Sequence, residues 1–147
     1  MKFIASICTL IFLSGCSFAP KYTVSPNWDK TKLAKVFIYR TDVAYHSLNP
    51  EKPYFYIDGK HAGKLGTGQS ISTAVISGNH TISVKEPILF MPAYENGSLN
   101  FKAEPNKEYY IRYSKDFSGI SFAGPVVTTT HSTTLQFTNK DYYLERK

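Results

Sequence analysis

"YFYIDGKHAGKL", residues 54–65, holds the signal that decides the fold. Asp58-Gly59 sits between two short runs of strand-forming residues. A two-residue type I′ turn needs positive φ at both central positions, which Asp and Gly tolerate better than other pairs. The stretch therefore predicts a tight β-hairpin. It sets a period of two that can be followed outward in both directions.

Upstream, "KVFIYRTDV" (35–43) places Val36 and Ile38 on one face and Phe37 and Tyr39 on the other. A strand apolar on both faces belongs in the interior of a sheet. Downstream, "SISTAVI" and "HTISVKE" flank Ser77-Gly78-Asn79 and read as a second hairpin. In the latter strand Ile82 and Val84 alternate with polar neighbours, giving one dry and one wet face. "SLNFKAE" and "EYYIRYS" repeat the grammar around Pro105-Asn106, with Leu99, Phe101 and Ala103 on one face and Tyr109, Ile111 and Tyr113 on another. Further strands are predicted in "GISFAGPVV" and "TTLQFT", and Asn139 can cap a short helix to Arg146. Short strands at close spacing with turn residues between them predict an all-β fold, an antiparallel β-sandwich of about 7–9 strands with a short C-terminal helix.

The N-terminus sets where such a domain resides. Met1-Lys2, a run from Phe3 to Leu13 that is almost wholly apolar, and Ser14-Gly15-Cys16 have the layout of a secretory signal. A spanning helix needs about 20 apolar residues, roughly twice what this run supplies. Leu13-Ser14-Gly15-Cys16 resembles the lipobox of bacterial lipoproteins, which implies cleavage between Gly15 and Cys16, acylation of Cys16 (palmitate among the expected chains) and loss of Cys8 with the signal peptide, residues 1–15. The mature chain then has no disulfide and no thiolate chemistry. The same resemblance implies the periplasmic side of the outer membrane, because Ser17 stands where an inner-membrane lipoprotein usually carries aspartate. Residues 16–33, with two prolines and no sustained apolar period, read as a flexible tether that reaches about 60 Å if extended. Residues 34–147 form the domain.

No catalytic constellation emerges. His46, His61, His80 and His131 are scattered singly, there is no zinc spacing, and neither metal nor cofactor is expected. "GKLGTGQS" (63–70) lacks both phosphate-loop patterns and reads as a hairpin exit. Eleven acids spread along 147 residues nominate no carboxylate pair. The formal charge of +6 is compatible with anionic surfaces and equally with ordinary solubility. Nucleic acid is not an expected partner of an exported, lipid-anchored domain.

Two features read as binding candidates. "PILFMPAYENG" (87–97) crowds apolar residues into a connection bounded by prolines, and it either plugs the open end of the sandwich or offers Phe90, Met91 and Tyr94 to a partner. The plug is the preferred reading. The second is the load of 11 tyrosines, a residue type common at interfaces and on carbohydrate-stacking faces. Tyr109-Tyr110 must point to opposite faces of a strand.

From Ala34 to Lys115 the chain resembles the bacterial family known as domain of unknown function 2846 (DUF2846). The resemblance is carried by "AKVFIYR", "YIDGKHAGKL", "ISGNHTISV" and "EPNKEYYIRY". Ser77, Asn79 and Asn106 depart from the usual proline, lysine and glycine, and Asn106 keeps left-handed φ feasible. The resemblance implies a β-sandwich and supplies no catalytic residue. The expectation is a non-catalytic binding or structural module of the envelope, joined to the membrane through the lipid on Cys16, with an envelope protein or the cell wall as partner. The alternatives are an accessory lipoprotein of an envelope or secretion complex and, in a different class, an enzyme acting on cell wall or glycan.

Overall fold

The computed structural model describes residues 19–41, 52–123 and 126–146. Within them the strands are β1 (Leu33–Arg40), β2 (Tyr54–Ile57), β3 (Lys60–Lys64), β4 (Ser70–Ile76), β5 (Gly78–Ile88), β6 (Met91–Ala103), β7 (Glu108–Ala123) and β8 (Val126–Thr138). A 3-10 turn (Lys30–Lys32) precedes β1, and helix α1 (Lys140–Arg146) closes the chain. Two four-stranded sheets, β4-β1-β7-β8 and β3-β2-β5-β6, form the predicted sandwich.

Alternation explains the core. Val36 and Ile38 of β1, Phe55 and Ile57 of β2, Ile82 and Val84 of β5, and Ile111 and Tyr113 of β7 all turn inward and are fully buried. Each such side chain stabilises the fold by about 1.5–3 kcal/mol relative to exposure. Phe55 meets Tyr113 edge to face across the two layers, 5.4 Å between ring centres. The opposite face of β1 is also covered, as its two apolar sides predict. Phe37 stacks on Tyr110 at 4.9 Å, and Tyr143 of α1 lies over Phe37, Tyr39 and Tyr110. The Asn139 carboxamide accepts the Tyr142 N–H at 2.8 Å and caps the helix as expected.

The hairpin at Asp58-Gly59 is present, with φ of 50° and 74°. Two of the other expected hairpins are not. β4 and β5 lie in different sheets, and only Ser77 separates them, one residue too few for the two-residue turn that closes a hairpin. Gly78, at φ 142°, lets the chain step from one layer to the other. The Pro105-Asn106 turn likewise joins β6 of one sheet to β7 of the other, with Asn106 at the left-handed φ of 60°. Among the eight described strands every pairing but one is antiparallel. β1 runs parallel to β7, and the excursion through the second sheet supplies the long crossover that such a pair requires.

The segment read as a tether departs from expectation from Pro20 on. The His61 N–H donates to the Pro20 carbonyl and the Tyr22 N–H to the His61 carbonyl, both at 2.8 Å, so the chain lies along the edge of β3. The Tyr22 hydroxyl crosses to the other sheet and donates to the Ala74 carbonyl of β4 at 2.8 Å. Burial, with Asp58 second, pushes this phenol up to about 12. The segment is a strap across the two sheet edges. Residues 1–18, including Gly15 and Cys16, lie outside the described residues.

Candidate functional site

The 87–97 stretch is not a loop. Pro87 faces Pro92 and Ile88 faces Met91 in a β5–β6 ladder that is bulged at two points and turns through Leu89-Phe90. Both turn residues have positive φ, 49° and 62°. This is the geometry for which Asn-Gly is the usual solution, and a bulky L-residue at such a φ costs about 1–2 kcal/mol. The apolar side chains therefore stand where local turn chemistry disfavours them.

Nor does the stretch plug the sandwich. Ile88, Leu89, Phe90 and Met91 are 53%, 79%, 64% and 59% exposed, and Tyr94 is 51% exposed. A plug needs side chains turned inward, and these are open to water. The Tyr54 hydroxyl donates to the Phe90 carbonyl, which ties the tip down to the outer face of the β3-β2-β5-β6 sheet. On that face the Lys64 ammonium sits over the Tyr54 ring at 4.3 Å and Lys85 over Tyr56 at 5.0 Å. His61 lies against both tyrosine rings. Burial, then Lys64 and Lys21, hold its imidazole below the usual histidine range.

Beneath the tip, Glu86 is 4% exposed and turned between the sheets. It accepts from the Tyr113 hydroxyl at 2.7 Å, from Lys115 Nζ at 3.1 Å and from Thr133 Oγ1 at 3.4 Å. The Arg40 guanidinium, also buried, lies 5.7 Å from the centre of the Tyr113 ring. Glu86 is the one buried carboxylate among the described residues.

His80 is buried and His61 half-buried. His80 Nδ1 lies 2.7 Å from Asp58 Oδ2 and Nε2 lies 2.6 Å from the Ile76 carbonyl. A carbonyl can only accept, so Nε2 donates to it and offers no lone pair to a nucleophile. The pair braces the Asp58-Gly59 turn against the step between β4 and β5. No group of three or more His, Cys, Asp or Glu with metal-site geometry occurs among the described residues. The tyrosines serve packing first: Tyr109 turns inward against Phe101, while Tyr110 turns outward under α1. Sequence reasoning singled out Phe90, Met91 and Tyr94. It missed Leu89 as a turn residue and the Lys64–Tyr54 and Lys85–Tyr56 stacking, which depends on strand register.

Residues 30–126 match the family described as Protein of unknown function (DUF2846), which is more than half of the chain. No curated protein matches it.

Proposed function

From the premise that the chain belongs to the DUF2846 family, which carries no assigned chemistry, we propose a non-catalytic, lipid-anchored module of the bacterial envelope that uses the β5–β6 tip as its contact surface. The observation that carries this reading is the run of four exposed apolar side chains at residues 88–91 on a closed sandwich. Single exposed apolar residues are ordinary, whereas a contiguous patch marks a contact. The lipobox-like Leu13-Ser14-Gly15-Cys16 supports the anchor, and Ser17 supports the periplasmic face of the outer membrane. Two acyl chains suffice for stable attachment at about 0.8 kcal/mol per buried methylene.

The strap changes what the anchor implies. Pro20 is already bound to β3, so only residues 17–19 separate it from Cys16. Fully extended, that link spans about 14 Å. The module would be held beside the bilayer and would not reach freely into the periplasm. The test is palmitate labelling with membrane fractionation of the wild type and Cys16→Ser. Label and membrane association present in the wild type and lost in the variant support the reading; an unlabelled wild type, or a variant that still carries label, overturns the anchor.

A further inference from the structure

We propose that the outer face of the β3-β2-β5-β6 sheet is a membrane-lying surface, with its lysines on anionic phospholipid headgroups and the Leu89-Phe90 tip entering the acyl region. This deepens the anchored reading above and rests on it for orientation. Four observations converge on the one face. The tip is bound down to it through Tyr54. Register and alternation put Lys64, Lys85 and Lys102 on it, and Lys21 of the strap lies beside His61 at its edge. Glu95, opposite Lys85, is the one acid on these strands of the face, since the Glu86 carboxylate is drawn inward by Tyr113 and Lys115. The strap that leads to Cys16 pairs with the edge strand of this same sheet.

The chemistry fits a bilayer. Residues 87–94 carry no charge, so the tip can leave water without stranding an ion. The Lys64 and Lys85 ammonium groups lie over tyrosine rings, and their long apolar stems let them swing from the rings to headgroup phosphate, the snorkelling behaviour of interfacial lysines. Tyrosine is itself favoured at the headgroup level. Leu89 and Phe90 at positive φ are explained by insertion: a turn shaped for its own stability would place Asn-Gly there, whereas one shaped to enter hydrocarbon keeps its side chains. The acidic leaflet attracts such a lysine-rich face within a Debye length, and the short link from Cys16 keeps it there.

The test uses the full acylated chain reconstituted in phosphatidylcholine vesicles with and without phosphatidylglycerol, some made with acyl chains brominated at mid-chain. Trp28, the chain's one tryptophan, is changed to Phe, and a reporter is placed by Phe90→Trp or, as a control on the other sheet, by Ser72→Trp. The expected result is severalfold stronger bromine quenching at position 90 than at 72, strengthened by phosphatidylglycerol and reduced by Lys64→Gln/Lys85→Gln while the protein still floats with the vesicles. A position-90 reporter that floats but stays unquenched, and open to acrylamide in water, overturns the proposal and leaves the tip to a protein partner. The Cys16→Ser chain separates the two readings. If the acylated protein does not float, the anchor reading fails, and quenching at 90 in the Cys16→Ser chain added to anionic vesicles decides the tip by itself.

Discussion

Glu86 brings a carboxylate between the sheets, and the consequence depends on whether its partners stay behind. Removing one member of a buried ion pair costs about 3–5 kcal/mol, whereas replacing the whole pair by apolar groups is often neutral. Glu86→Leu strands Lys115 and leaves the buried Tyr113 hydroxyl without its acceptor, so it is expected to lower unfolding free energy by about 3 kcal/mol. Glu86→Leu/Lys115→Met is expected to recover most of that loss, read from urea midpoints at constant slope. A double variant no better than the single one would show that the carboxylate serves Tyr113 and Thr133 more than Lys115. His61 makes a second prediction at this scale. Its imidazole is held below the ordinary value of about 6.5, so the unfolded chain takes up a proton that the folded chain refuses in the window between the two values. Stability therefore falls as pH drops through that window. His61→Gln is expected to remove this part of the acid-side slope. The wild-type minus variant difference in urea stability, measured from about pH 7 to about pH 5, checks it; an unchanged slope would show that His61 is not the group responsible.

The β5–β6 hairpin sets local stability against exposed function within one element. Leu89→Asn/Phe90→Gly gives the turn the residues its φ values favour and is expected to raise unfolding free energy by about 1–2 kcal/mol in thermal melts. A loss of stability instead would mean that the two side chains contribute packing that outweighs the backbone strain. This turn was not legible in the sequence, because Leu-Phe carries no turn chemistry and the prolines on either side suggested a loop. The Asp58-Gly59 turn was legible because its signal is wholly local. Phe90, Met91 and Tyr94 were found as a cluster from composition, but whether they faced inward or outward depended on strand length, which pattern alone did not reveal. The strap was illegible for the opposite reason: Tyr22 is held by His61 and Ala74, partners that no local period announces.

At the scale of the whole molecule, turn residues mark where the chain bends and not which sheet it enters next. Ser77-Gly78 and Pro105-Asn106 looked like hairpin closures, yet each carries the chain to the other layer, so the apparent series of independent hairpins is an interleaved pair of sheets. The interleaving makes β1 depend on strands far along the chain. It is an interior strand whose parallel partner begins at Glu108, and Ile111 and Tyr113 of that partner complete the core around Val36 and Ile38. A chain ending at Asn106 keeps β1–β6 but lacks one side of the β1 ladder, those core side chains and the helix over Phe37 and Tyr39. Its loss of burial far exceeds the few kcal/mol by which a small domain is stable. Residues 19–106 are accordingly expected to show no cooperative thermal transition and no dispersed amide spectrum, and addition of residues 107–147 is expected to restore both. Because the β1–β7 contact closes over a long stretch of chain, complementation should be slow, in the range of milliseconds to seconds or longer. A cooperative transition in residues 19–106 alone would mean that the β3-β2-β5-β6 sheet with β1 and β4 forms a self-sufficient core, and that the parallel pairing is added to a fold already made.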